Sequence, residues 1–434
     1  MGNGWNKPNH LELKNILKNN LFGFDKAPEA VLITAFSLCV ALCDELDPLV
    51  IWNKLKFDNL QEQNLQARDF FGILETGVFD GFFDLIIGNP PFESDLTTEA
   101  AARIEKIAKT ERGDLPDKQL GLLFLEQSFR MAKKEATVCL IQPAGPLLYN
   151  SGSMQFRNHL FERVAIDQVL DFTALEGVLF RDKKVASAAI IGCNAPPSNE
   201  KILHLTFRRT KTIKEKIFFE LDPYDFHWVS RKLEKKAQYV WKANLLGGGR
   251  LHRLLDRPFS DFSTLGEYLD EKRANHGWQY GEGYSVGSGN KLNAQPNAKE
   301  LAGLPPEDLK SRFRLKRTPK LAPWITGKRN VPPEALSSKG IAWDSVGICE
   351  ELFFEERRNS IKSIFIPPHA LIREVVSGQS IPTIFSDEEL VFSKQIIGVH
   401  APEKDSKCLI RLVERLNDSS FYGILAAILS SRML

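Results

Sequence analysis

Asn89-Pro90-Pro91-Phe92 constrains this chain more than any other segment. It follows the apolar run Phe82-Phe83-Asp84-Leu85-Ile86-Ile87-Gly88. Phe, Leu and Ile in a short run bounded by Gly and Pro predict a buried strand, central in a parallel sheet. The four residues then lie at the carboxyl end of that strand, where open α/β sheets bind ligands. Two consecutive prolines stiffen the backbone and remove two N–H donors, while their carbonyls remain free to accept. An Asn side-chain oxygen, a Pro carbonyl and an aromatic face suit a planar ring that bears an exocyclic amino group. The acceptors orient the NH₂, and Phe92 stacks on the ring. A tight turn between strand and loop is the plainer role for the same residues.

At 434 residues the chain has room for two domains, each with its own core. A net charge of +2 gives no global basic field, so any DNA contact has to come from local basic clusters. No apolar run reaches membrane-spanning length, and no apolar stretch of a signal peptide stands at the N-terminus. The six cysteines are scattered without a CxxC pair, which favours buried thiols in a reducing cytoplasm over disulfides or a metal site.

Leu21-Phe22-Gly23-Phe24-Asp25 predicts a short strand ending in an acid, followed by an apolar helix from about Ala30 to Leu46. An acid at such a turn can hydrogen-bond a ribose diol or cap the helix. Asp69 lies just before the strand that leads to Asn89. The polar stretch 93–118 predicts a mobile loop with some helix, Leu120–Met131 an amphipathic helix, and Ala136–Ile141 a second buried strand. Phe156–Phe161 reads as helix and Ile166–Phe172 as strand. The catalytic sheet is expected to end near Asn194-Ala195-Pro196-Pro197.

These segments, in this order, resemble the gamma-type adenine-specific DNA methyltransferases of restriction–modification and phage-defence systems. Asn89-Pro90-Pro91-Phe92 resembles their motif IV, and Gln142-Pro143-Ala144 their motif VI. Leu179-Phe180-Arg181-Asp182-Lys183-Lys184, before a small-residue strand, resembles motif VIII. The resemblance implies a Rossmann-like α/β domain that uses S-adenosyl-L-methionine, with Asp25 and Asp69 as cofactor-binding residues. It implies that Asn89 and the Pro90 carbonyl accept hydrogen bonds from the adenine amine. Phe92 and Phe180 would sandwich the flipped base, at about 1–3 kcal/mol per stacked base. Lys183 and Lys184 would touch phosphate or form a solvated turn, and Phe180 is alternatively a core aromatic. No metal is implied.

From about Leu251 a separate α+β domain is expected, resembling the target-recognition domains of these enzymes. It interleaves aromatic and basic residues in Arg312, Arg314, Lys316 and Arg317, and again in Pro323-Trp324-Ile325-Thr326-Gly327-Lys328-Arg329. Such clusters grip phosphates or form solvated charged faces. The expected organisation is a methyltransferase domain over 1–200, a connector over 201–250 and a recognition domain over 251–434.

The glycine-rich motif I is missing, since Gly2-Asn3-Gly4 has no room for a strand before it, and Trp5–Asn20 reads as the helix that follows motif I. The domain is therefore expected to be incomplete at its N-terminus, a piece of a larger enzyme. A separate chain would then supply motif I or a nuclease, alongside double-stranded DNA as partner. Three alternatives stay open: a catalytically inactive DNA-binding fragment, an RNA guanine methyltransferase and a protein glutamine methyltransferase. The region after residue 250 argues against the last.

Overall fold

The computed structural model describes residues 8–61, 63–180, 185–208, 221–236, 239–247, 251, 263–355, 361–374 and 381–418. Lys183, Lys184 and Gly2-Asn3-Gly4 lie outside the described residues. The chain divides into two compact units, Met1–Gly248 and Gly249–Leu434. No helix among the described residues is long and apolar enough to cross a membrane.

The first unit opens with α1 (His10–Asn19), capped by Asn9 in a capping box with Glu12. Next come β1 (Gly23–Asp25), α2 (Pro28–Asp44), α3 (Pro48–Lys54), β2 (Leu65–Ala67) and α4 (Phe70–Thr76). β1 and β2 form a parallel two-stranded sheet of their own, with Asp25 opposite Ala67. α2 starts on Pro28, where a missing N–H costs nothing, and is apolar nearly all round. Only Val31 and Leu42 of it are buried, while Leu32, Ile33, Phe36 and Val40 are exposed.

A mixed six-stranded sheet dominates the unit. Its strands are β3 (Phe83–Gly88), β4 (Ala132–Pro143), β5 (Ala165–Asp171), β6 (Ser187–Cys193), β7 (Lys201–Thr206) and β8 (Phe226–Ser230). They lie in the order β3-β4-β6-β5-β7-β8, and β6 runs antiparallel to both its neighbours. α5 (Glu99–Arg112), α6 (Leu120–Met131) and α7 (Met154–Arg163) complete it. α6 turns Leu120, Leu122, Leu123, Leu125, Phe129 and Met131 into a core shared with Val138, Ile166 and Ile190. Gly192 makes that approach possible: a Cβ there would stand 2.7 Å from Ile166 Cδ1 and 3.2 Å from Phe129.

The structure corrects or refines four readings. β3 is an edge strand rather than a central one, with Leu85 58% and Ile87 71% exposed. The first two strands pair with each other and not with β3, although Phe22, Phe24, Phe79, Phe82 and Phe83 pack ring against ring between them. The stretch 93–118, read as loop with some helix, contains the 14-residue α5, capped by Thr98 and ending at Gly113 with φ 82°. Its apolar stripe is mostly alanine and so was weak. Residues 201–250, read as a connector, add β7 and β8 to the sheet. His204, buried inside β7, had broken the apolar pattern that would have marked the strand.

The second unit holds an antiparallel four-stranded sheet ordered Thr383–Ser386, His369–Arg373, Ile396–His400 and Gln279–Glu282. Helices Leu265–His276 and Ser406–Asn417 contribute Leu269, Leu409, Val413 and Leu416 to a core with Ala370, Ile372 and Val399. Trp278 is fully buried there and donates its indole N–H to Asp405 at 2.9 Å. A second core gathers Ile325, Val331, Leu371, Leu390 and Phe392 around a three-stranded sheet that includes Arg329–Val331. The sequence also predicts a strand at His369–Arg373 and a Leu/Phe-rich terminal helix. The strand is present, and the helix falls largely on 419–434, outside the described residues.

Candidate active site

The site is built on one edge of the six-stranded sheet. β3 and β4 run parallel with Gly88 opposite Leu140, so the chain leaving β3 runs beside the end of β4. β5 ends at the same edge: Asp171 lies opposite Ala188 and Pro143 opposite Ser187, at the start of β6. The chain from Phe172 to Phe180 therefore starts at the same end of the sheet as Asn89-Pro90-Pro91-Phe92.

Within that turn Pro90 is buried, Phe92 is half-buried, and Asn89 and Pro91 are exposed. The Asn89 carboxamide has no hydrogen-bond partner among the described residues, so its oxygen is available to a ligand. The turn is anchored just downstream. Leu120 N–H donates to the Glu93 carbonyl at 2.8 Å, and the Gln119 amide donates to Ser94 Oγ at 2.6 Å. α6 has no side-chain cap, so the loop's own carbonyl meets one of its unpaired donors.

Phe180 is half-buried like Phe92, and neither ring contacts another aromatic ring among the described residues. Both faces that a sandwiched base would use are thus clear of ring contacts.

Asp25 and Asp69 stand at the carboxyl ends of β1 and β2, the same end of a parallel pair. Each also has a local task. Asp25 Oδ1 accepts from Ala27 N–H at 2.7 Å in the turn into α2. Asp69 caps α4, accepting from Gly72 N–H at 3.0 Å. Carboxylates held this way keep lone pairs for hydroxyl or amine donors, which fits the sugar and base of a nucleoside.

Sequence reasoning missed a buried network behind this edge. The Tyr149 hydroxyl donates to Asp171, which also meets His204 Nε2 at 3.1 Å, and His204 Nδ1 lies 3.3 Å from the Asn244 amide. Burial pushes the Asp171 carboxyl up, but the hydrogen bonds and charge of His204 outweigh it and hold the group below its usual range. The Tyr149 hydroxyl goes well up, through burial first and then the charge of Asp171. Asp171, Tyr149 and His204 are fully or nearly fully buried, so they brace the strand ends.

The basic residues of the second unit divide in two. Arg317 pairs with Glu355, Lys328 with Glu389, and Arg329 with Glu388 at 2.5 Å. Arg312, Arg314 and Lys316 are exposed and carry no ion pair among the described residues. They flank buried Leu315, which anchors the segment.

The chain is similar to known proteins. A DrdV–DNA complex matches over 90% of this chain and 43% of its own, at 12% identity and TM-score 0.51. A nuclease-deletion mutant of the type ISP restriction-modification enzyme LlaGI, with a DNA substrate mimic, matches over 96% of this chain and 48% of its own, at 10% identity and TM-score 0.47. A type I restriction-modification methyltransferase subunit from Streptococcus thermophilus matches over 51% and 53%, at 16% identity and TM-score 0.34. The chain spans about half the length of each of these, and 39% of the type I restriction enzyme EcoKI M protein. Residues 19–178, which include Asp25, Asp69 and the Asn-Pro-Pro-Phe turn, match the Eco57I restriction-modification methylase family. No curated protein matches the chain.

Proposed function

We propose that this chain takes part in methylating the exocyclic amine of adenine in DNA, within a restriction–modification or defence system. The observation that carries the reading is the Asn89 carboxamide, without a hydrogen-bond partner among the described residues, at a strand's carboxyl end and inside the stretch that matches a restriction-modification methylase. S-adenosyl-L-methionine, when bound, supplies an electrophilic methyl group. Asn89 Oδ1 and the Pro90 carbonyl accept from the adenine NH₂ and turn its lone pair outward. Phe92 and Phe180 hold the flipped ring by stacking. Asp25 and Asp69 hold the cofactor's nucleoside end. Alignment of the reacting atoms supplies much of the rate, and no separate general base is assigned. The second unit reads double-stranded DNA, with Arg312, Arg314 and Lys316 on phosphates.

A second polypeptide segment belongs to this reading. β3 offers an unpaired edge with Leu85 and Ile87 exposed, and the described residues place no glycine-rich turn beside Asp25. A strand supplied alongside β3, with such a turn at its end, would complete the methionine side of the pocket.

The test is Asn89→Ala in the complemented enzyme, followed by tritiated methyl transfer and DNA binding. Transfer is expected to vanish while DNA affinity stays near wild type. Transfer close to wild type would overturn the assignment of the turn.

A further inference from the structure

We infer that Gln142 is a positioning residue for the Asn89–Phe92 turn, its carboxamide donating to the Pro91 carbonyl. The inference rests on the reading of that turn as the reaction centre, but its geometry is independent of it.

Gln142 is completely buried, and neither its Oε1 nor its Nε2 has a hydrogen-bond partner among the described residues. An unsatisfied buried polar group is destabilising, so a buried amide idle at both ends calls for a partner. Gly121 lies beside both the carboxamide and the Pro91 carbonyl. A Cβ on Gly121 would stand 3.4 Å from Gln142 Oε1, 3.4 Å from the Pro91 carbonyl oxygen and 3.5 Å from Pro143 Cδ. The carboxamide and the Pro91 carbonyl therefore flank the same bare Cα, with no side chain between them. The carboxamide oxygen faces this point. A half-turn about the terminal bond presents the NH₂ there instead, at almost no change in shape.

The turn itself explains the need. Pro90 and Pro91 have no N–H, so these two residues offer carbonyls and no backbone donor. Outside donors hold the neighbouring residues: Leu120 N–H serves the Glu93 carbonyl and the Gln119 amide serves Ser94 Oγ. Gln142 does the same for the Pro91 carbonyl. With the Pro91 carbonyl held inward, the Pro90 carbonyl is the one left for a ligand's amine. Gln142 thus selects which of two consecutive acceptors faces the substrate.

Hydrogen exchange on the full chain tests this without requiring activity. Gln142→Met keeps the volume and removes the donor. Exchange at the amides of Phe92, Glu93 and Ser94 is expected to rise about tenfold, the equivalent of one net hydrogen bond, while amides within 123–131 keep their wild-type rates. Gln142→Asn, which keeps the amide but cannot reach, should behave the same way and carries the test if the Met variant does not fold. Wild-type rates at 92–94, or an equal rise throughout 123–131, would overturn the inference. If Asn89→Ala retains methyl transfer while the Gln142 variants still free the turn, the positioning role stands and the catalytic reading falls.

Discussion

Thr98 and Asp69 tie together the first turns of two helices. Thr98 accepts from Ala101 N–H at the start of α5, and its own hydroxyl donates to Asp69 Oδ2 at 3.1 Å, the oxygen that caps α4. A capping role and a cofactor role for Asp69 can therefore be separated. Asp69→Asn keeps a good cap and loses the charge, whereas Asp69→Ala loses both. We expect Asp69→Ala to lower stability by about 1 kcal/mol and Asp69→Asn to leave it nearly unchanged. If Asp69 also holds the cofactor's base, calorimetry on the complemented enzyme should show weaker S-adenosyl-L-methionine binding in both. Unchanged affinity in Asp69→Asn would leave Asp69 with a capping role only.

Phe92→Ala and Phe180→Ala should each weaken capture of the flipped base. 2-Aminopurine at the target position brightens when it leaves the stack. A signal unchanged in both variants would return Phe180 to the loop core and remove the two-sided pocket.

In the second unit, charge reversal at Arg312, Arg314 and Lys316 should weaken DNA binding. The slope of log K against log salt should flatten by roughly 0.9 per lost phosphate contact. Arg317 is expected to contribute less, because Glu355 already pairs with it. The same logic predicts that Glu388→Gln with Glu389→Gln, by releasing Arg329 and Lys328, strengthens DNA binding if those cations face the duplex. An unchanged salt slope in the triple reversal would take this cluster out of the interface.

His227, buried against Thr206 Oγ1 at 3.2 Å, gives a prediction for pH. Burial, then the charge of His204, pull its pKa down to about 4, partly opposed by Asp225. Its folded value lies below the unfolded one of about 6.5, so the unfolded chain takes up the proton first. Stability from this residue is full above about pH 6.5 and declines as the pH falls toward 4, by about 3 kcal/mol in all. Urea unfolding of the wild type should show that decline, and His227→Gln should flatten it. Equal slopes in the two proteins would show that His227 does not carry it.

Where side-chain pattern and burial agree, the sequence was legible. α6 spans Leu120–Met131 as expected, because its apolar stripe, interrupted by Glu126, repeats at helical spacing and meets β4. Glu126 is buried too, held by Arg112 at 2.8 Å, an ion pair that spacing alone does not reveal. The end of β3 before Asn89 was legible because Pro90 and Pro91 cannot donate to a strand ladder. Strand order was not. Phe82–Gly88 reads as buried on composition, yet whether a strand is central depends on which other strands reach it. β7 was hidden by His204, whose polarity is satisfied by Asp171, 33 residues earlier in the chain.

The position of β6 has a consequence for how the protein is made. β4 and β5 precede it in the chain, yet neither pairs with the other, and each pairs with β6. During synthesis from the N-terminus, the first 186 residues can leave the ribosome with those two strands still lacking their common neighbour. Closure of the sheet then waits for Ser187–Cys193 to emerge. A nascent chain arrested before that point would keep β4 and β5 unjoined, however complete its helices.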